Sequence, residues 1–405
     1  MSSSTAQVAA PAWAQLPNLA SDKVDTKILF TTDDFFAVAE CMLSSKDPVF
    51  IPDAFTEFGK LMDGWETRRK RTLGHDWCIM QLGLSGIVKG IAVDTAFFTG
   101  NQVPRISVQA ARLDTAPTLV RRSQGGTAAT TEEIEAAERL GSVDWTEILP
   151  RRVLQPGYPE TRQHYFDVSS NERWTHLRIN LYPDGGIARL RVHGLVVRDW
   201  SQVSTTDVQD LVAVENGGRA LYHSNSHYGR SSNLINPGRA ADMGDGWETA
   251  RRPDRPAIYT MGHDGHVVMP GSDFAVLKLG HVGVVDSLEI DTNHFKGNFP
   301  ESCFVEACLM TDSSSGEDAG DALVIGDCER KNEFQRTGTL AANAPAMSVE
   351  WKTLLPRTKL RAHEQRVFTV ADNTLVNPGA ISHIRLNIYP DGGVSRVRAL
   401  GRIRK

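Results

Sequence analysis

The chain reads as all-β, two tandem β-sandwich repeats with few short helices, and three observations carry that expectation. Short motifs recur once each in the same order, the segments between them alternate polar and apolar residues in period two, and Gly and Pro punctuate them at strand-length intervals. Asp-Gly-Trp-Glu-Thr occurs at 63–67 and again at 245–249, an offset of 182. Asp-Thr-x-x-Phe-x-Gly-Asn occurs at 94–101 and 291–298, offset by 197, and Tyr-Pro-Asp-Gly-Gly at 182–186 and 389–393, offset by 207. Offsets that grow along the chain imply a duplicated unit of about 170 to 190 residues with insertions in the second copy, a period far too long for a solenoid. The expected divisions are a flexible segment 1–25, a first repeat 26–200, a linker 201–216 and a second repeat 217–405.

Within the first repeat, Trp77–Gly83 and Ile87–Thr95 read as two strands joined by a turn, and Phe274–Gly280 with Val284–Asp291 repeats the arrangement. His176–Tyr182 alternates polar and apolar residues over its whole length, as does His383–Tyr389. Pro-Asp-Gly-Gly then supplies hairpin turn chemistry, Pro setting its own φ and Gly permitting a positive one. A strand is expected to return at Ile187–Val192 and at Val394–Ala399. Each repeat also holds a weakly structured stretch: Arg121–Thr131 leading into a short helical run at Glu132–Leu140, and 312–345, rich in Ser, Gly, Asp and Ala. Both read as surface excursions between strands. Absence of strand–helix alternation excludes an α/β fold.

Composition narrows the function classes. With 405 residues, 40% hydrophobic and 23% charged, the chain can bury more than one core and is neither disordered nor coiled coil. Its 44 basic residues against 49 acidic ones leave a net charge of -5, so no positive field exists to hold nucleic acid. Five cysteines without a C-x2-C pair make neither a disulfide scaffold nor a zinc site. Cys303 and Cys308, five apart on one strand, read as packing residues. No apolar run reaches the roughly 18 residues of a membrane span. With no secretory pattern in Met1–Trp13 and no peroxisomal tripeptide at Gly401–Lys405, the expectation is a cytoplasmic protein. The polar strand face His176, Arg178, Asn180 and Tyr182, repeated by His383, Arg385, Asn387 and Tyr389, reads as a hydrogen-bonded network or a contact surface, and duplication with such faces suggests a homo-oligomer.

The order of these signals resembles the galactose-binding-like jelly roll of discoidin-type domains. At Asp33–Ala37, Asp63–Arg69, Phe98–Asn101, Asn293–Asn298 and the paired Tyr-Pro-Asp-Gly-Gly segments the chain is similar to the allantoicase family, in a resemblance that runs from Val24 to Lys405. That resemblance implies two jelly-roll repeats per chain and hydrolysis of allantoate to ureidoglycolate and urea in purine degradation. The alternative is a non-catalytic module that binds a small molecule or carbohydrate.

Allantoate carries one carboxylate and two ureido arms on a single carbon, so its site needs a fixed cation, partners for N–H groups and an activator of water. Glu66 and Glu248, each beside a Trp that can desolvate it, are the candidate general bases. His294, which replaces Phe97 of the first copy, is the candidate proton carrier. Arg68, Arg69, Arg251 and Arg252 can hold the carboxylate by a guanidinium fork or pair with the neighbouring glutamates. Asp63 and Asp245 either bind substrate or cap their own turns, and Asn101, Asn298 and Lys296 can steady a ureido group. Two His pairs, His223 with His227 and His263 with His266, lack a counterpart in the first copy and a helix to present them, so no residue is assigned to a metal. A divalent ion on the Asp-Gly loops is the one cofactor left open.

Overall fold

The computed structural model describes residues 9–310, 317–337 and 349–405. The chain divides into two compact units, Met1–Val197 and Arg198–Lys405, one for each repeat.

In the first unit a single 19-residue strand, Asp76–Asp94, runs through both layers of a sandwich. Its first half pairs with Lys27–Thr31 on one side and Trp174–Tyr182 on the other, and that layer continues through Arg105–Ala111 to Thr146–Val153. Its second half pairs with Gln163–Asp167 and Arg189–Val196. Each of these strand pairings is antiparallel. The second unit repeats the plan around Asp273–Asp291, with Arg219–His223, Ile381–Tyr389, Ser302–Cys308 and Lys352–Lys359 in one layer and Gln365–Thr369 and Arg396–Ile403 in the other. Two jelly rolls in tandem are therefore present as expected.

Two local expectations give way. No turn separates Trp77–Gly83 from Ile87–Thr95, nor Phe274–Gly280 from Val284–Asp291, because the backbone stays extended throughout. The glycines mark close approach instead of a turn. A Cβ on Gly83 would sit 1.9 Å from the carbonyl oxygen of Val24, and one on Gly280 would sit 1.7 Å from that of Asn216. Nor is Tyr-Pro-Asp-Gly-Gly a hairpin: Trp174–Tyr182 and Arg189–Val196 pair with opposite halves of the long strand, so the segment carries the chain from one layer to the other. Its Tyr–Pro bond is cis in both copies, and Gly185 (φ +128) and Gly392 (φ +131) occupy the left-handed region.

The flanking segments are also more structured than composition suggests. Leu19 and Ala20 are fully buried, and the Leu19 N–H donates to the Val192 carbonyl at 2.7 Å. Gln209–Asp210 pairs with Leu400 and Gly401, so this part of the expected linker belongs to the second unit. Residues 1–8 lie outside the described residues.

The largest departure is the stretch expected as a loop at 312–345. Glu317–Thr337 is an α-helix, while 311–316 and 338–348 lie outside the described residues. Val324 and Cys328 of the helix are buried against Phe274, Val276 and Cys308. Asp321, also buried, receives Lys278 Nζ at 3.0 Å and meets His383 Nε2 at 3.2 Å. The shorter helix Thr131–Glu138 fits the expected run, opens on a Thr130–Glu133 capping box and covers Phe30, Trp77 and Ile79. Cys303 and Cys308 are buried packing residues.

Gly280→Ala is expected to lower the thermal midpoint, by the equivalent of about 1 to 3 kcal/mol of overpacking, whereas Gly297→Ala, with nothing within 4 Å of the added methyl, leaves it unchanged. Differential scanning calorimetry of the two variants checks this.

Candidate active site

Three motifs far apart in sequence meet at one place in each unit. Trp65–Glu66 forms a two-residue strand against Gly186–Ile187, with Glu66 opposite Gly186. The Thr67 N–H donates to the Gly185 carbonyl at 3.2 Å, and the Gly185 N–H returns a bond to Thr67 Oγ1 at 3.1 Å. The Gly186 N–H donates in turn to the Asn101 carbonyl at 2.8 Å, which draws in the third motif. Trp65 is fully buried and donates its indole N–H to the Asp33 carbonyl at 3.0 Å, a core residue and no platform for a ligand.

This convergence sets the geometry of Glu66. Asn101 Nδ2 donates to Glu66 Oε1 at 2.6 Å, and no other side chain of the described residues bonds the carboxyl. Burial pushes its pKa up, and the Asn101 bond offsets only part of that push. The second unit repeats the contact, with Asn298 Nδ2 donating to Glu248 Oε1 at 2.5 Å, but Glu248 is only half-buried.

The remaining candidates separate into committed and available groups. Asp63 Oδ2 accepts from buried Arg189 at 2.7 Å and from the Val49 N–H at 2.8 Å, and Asp245 Oδ2 accepts from buried Arg396 at 3.0 Å. These carboxylates hold their own loops, and with an arginine on each they do not fit a divalent cation. Arg68 spends Nε and Nη2 on Asp33, each at 2.8 Å, and lies over the Phe35 ring. Arg252 is likewise taken by Asp254 and the Ser272 carbonyl. Arg69 and its counterpart Arg251 are exposed and make no ion pair among the described residues. Lys296 is exposed as well. His294 does not join Glu248: its Nε2 meets the Ala240 carbonyl at 2.9 Å and its ring packs edge-on to His363.

The two units differ around this shared frame. Asp33 of the first unit corresponds to Asn225, because the buried Trp indole donates to the carbonyl of each. Arg68 corresponds to Ala250, whose N–H bonds the Asn225 side chain as the Arg68 N–H bonds Asp33. The first unit thus carries an Asp–Arg pair where the second has a neutral Asn and a methyl group. It also carries His75, which the motifs did not single out. Burial lowers the pKa of His75, its Nε2 lies 3.0 Å from Asn180 Oδ1 and its ring packs on Tyr182 at 4.4 Å. Ser272 stands at that place in the second unit and bonds Asn387. Alignment of the repeats on the Asp76 and Asp273 positions would have exposed this His/Ser difference.

The polar face of Trp174–Tyr182 proves to be a network within the unit. Arg178 donates to Asn180 and Ser142 and covers the Trp77 ring, while Asn180 donates to Gln109 at 2.6 Å. Of the two His pairs, His223 contacts Ser231 and His266 pairs with Asp264. Among the described residues, no three His, Cys, Asp or Glu side chains gather as a metal ion requires.

The profile of the allantoicase repeat matches residues 17–197 and 209–404, nearly the whole chain. The chain belongs to the allantoicase family. It is 39% identical over 396 residues to a chain from Pseudomonas fluorescens named "probable allantoicase", covering 98% of this chain and 99% of that one. A chain of the same name from Pseudomonas aeruginosa is 41% identical and covers 95% of each. The crystal structure of allantoicase from Saccharomyces cerevisiae superposes with a TM-score of 0.61 at 28% identity, over 96% of this chain and 94% of that one. The allantoicase repeat is thus present twice here, and each copy brings a Glu and an Asn side chain together at the junction of its three motifs.

The raised pKa of Glu66 has a sign that can be checked. A buried carboxyl favours its neutral form, so its contribution to folding is fully present below the unfolded pKa and is lost as pH rises through the folded one. Glu66→Gln, permanently neutral, is therefore expected to raise the thermal midpoint at about pH 8 and to leave it unchanged at about pH 4. Melting curves at the two pH values decide it.

Proposed function

We propose that this allantoicase-family chain hydrolyses allantoate to ureidoglycolate and urea and that its first unit carries the reaction. The observation behind the choice of unit is the environment of Glu66: a buried carboxyl with raised pKa, held at one oxygen by Asn101, leaving the other to take a proton from water. A base in that setting is poised nearer neutral pH than an exposed glutamate, which suits general acid–base work. Asn101 fixes the carboxyl's orientation and keeps its amide oxygen for a ureido N–H. Arg69, without an ion pair among the described residues and two residues beyond Thr67, holds the substrate carboxylate, whereas Arg68 keeps Asp33 in place. Water supplies the hydroxyl that ureidoglycolate carries on its central carbon, the bond from that carbon to one ureido nitrogen breaks, and the proton that the carboxyl accepted from water goes to the departing nitrogen to complete urea. Glu248, with no Asp–Arg pair beside it, keeps the structural part of the arrangement.

The chain is further taken to act in the cytoplasm as a homo-oligomer. All five cysteines are free, and no helix of the described residues is long and apolar enough to cross a membrane. Light scattering at several concentrations tests assembly, and a strict monomer would exclude it.

Urea release from allantoate tests the site. Glu66→Gln should reduce kcat by about a hundredfold or more, the usual range for loss of a general base, with Glu248→Gln close to the parent. Arg69→Ala should raise KM about tenfold or more through loss of a charge-assisted contact. Collapse in Glu248→Gln with full activity in Glu66→Gln would move the reaction to the second unit.

A further inference from the structure

The first unit contains a pocket of about 610 Å³ that none of the groups assigned to the reaction lines. Its apolar wall is made by Phe50 and Phe97, whose rings stack at 5.4 Å between centroids with 21° between planes, and by Tyr158. Its charged and amide side chains are Asp47, Arg162 and Gln163, and Thr99 and Tyr158 add hydroxyls. We propose that this pocket binds a small, flat, uncharged molecule with a urea-like edge, a cyclic ureide or pyrimidine-type heterocycle, stacked on the aromatic wall.

The wall is built on a strained turn that both units share. Phe97 has φ +69, a conformation that bulky residues seldom adopt. It is held there by its N–H donating to the Gly157 carbonyl at 3.1 Å and by the Gly157 N–H donating to the Phe98 carbonyl at 2.8 Å. A Cβ on Gly157 would sit 1.8 Å from the Thr95 carbonyl oxygen, so the two loops approach as only glycine permits. The result is a Phe ring left 38% exposed. In the second unit His294 takes the same turn at φ +70 and uses its ring nitrogen on the Ala240 carbonyl, so the turn itself has no need of an exposed phenyl group.

Charge and hydrogen bonding set the ligand class. Asp94 takes Arg162 through Nε and Nη2 and also accepts from Gln163 Nε2 at 2.8 Å, which fixes both side chains. Arg162 Nη1 and the Asp47 carboxylate have no hydrogen-bond partner among the described residues, one a donor and the other an acceptor. Lys60 lies over the Phe50 ring at 4.5 Å. Among the lining side chains Asp47 and Arg162 carry opposite charges, so the lining has no surplus of either sign to select an anion or a cation. A neutral edge with N–H groups toward Asp47 and a carbonyl toward Arg162 fits this pattern, with the flat face on Phe97. The allantoate anion does not. Loop 95–101 borders both places, giving Phe97 and Thr99 to the pocket and Asn101 to Glu66, yet the side chains that bind are separate sets.

Isothermal titration calorimetry of the full chain with uracil as the probe tests the site. Saturable one-site binding is expected, weakened about tenfold by Phe97→Ala and severalfold by Asp47→Asn, in line with loss of one stacking partner and one hydrogen bond. Orotate, the same ring with a carboxylate, should bind about tenfold more weakly than uracil in a pocket without surplus positive charge. Glu66→Gln should bind uracil as the parent does. Thermal melting shows that each variant is folded. Absence of heat at about 10 mM uracil, well above the weakest affinity a specific ligand of this size would show, overturns the proposal. Binding indifferent to both pocket variants, orotate binding as tightly as uracil, or displacement of uracil by allantoate would each overturn it as well.

Discussion

Both units depend on one long strand that serves two layers at once. Asp76–Asp94 and Asp273–Asp291 each give their first half to one sheet and their second half to the other, so the two layers share a covalent spine. That arrangement tolerates no side chain where neighbouring segments press onto it, which is why Gly83 and Gly280 face backbone carbonyls at distances a methyl group would violate. The site follows from the same constraint. Because the strands on either side of Tyr-Pro-Asp-Gly-Gly must pair with opposite halves of the spine, the segment has to cross between layers, and at the crossing it lies against Trp65–Glu66.

Much of this architecture was legible in the sequence, and what was not has physical causes. Period-two alternation in His176–Tyr182 and His383–Tyr389 locates strands well, since each has one face in an apolar core and the other made of buried polar side chains. Glycine in an extended segment is ambiguous, because a sequence shows that Gly permits a turn but does not show a carbonyl arriving from a residue far away. The helix Glu317–Thr337 was hidden for a related reason. Its polar surface resembles a loop, and what fixes it is a few contacts, Val324 and Cys328 on Phe274 and Asp321 on Lys278 and His383, that exist only after the sheet has formed.

The candidate site divides along the same line. Recurrence of Glu66 with Asn101 and of Glu248 with Asn298 marked residues that do meet, because motifs kept in both copies include those that hold the crossover together. Recurrence could not separate structural from available charges. Asp63 and Asp245 recur because each neutralises a buried arginine, and one of each arginine pair is spent on a carboxylate nearby. His75 carries no such mark because it does not recur, Ser272 standing in its place.

Divergence between the copies is therefore the more informative signal for chemistry, and recurrence for folding. Both units need the Trp indole bond to residue 33 or 225, the Glu strand pairing and the Asn contact, and both retain them. Only in the first does the frame also carry Asp33 with Arg68 and a half-buried His75 whose pKa burial lowers. A duplicated domain whose folding contacts are kept in two copies leaves one copy's remaining polar groups free to change, since loss of chemistry in one unit need not loosen that unit's core. A buried carboxyl such as Glu66, with a single amide donor and no cation bonded to it among the described residues, lowers stability at neutral pH. Glu248 keeps the amide contact at a more exposed position. The difference is what would be expected if one unit bears the strain that chemistry requires and the other has relaxed toward stability.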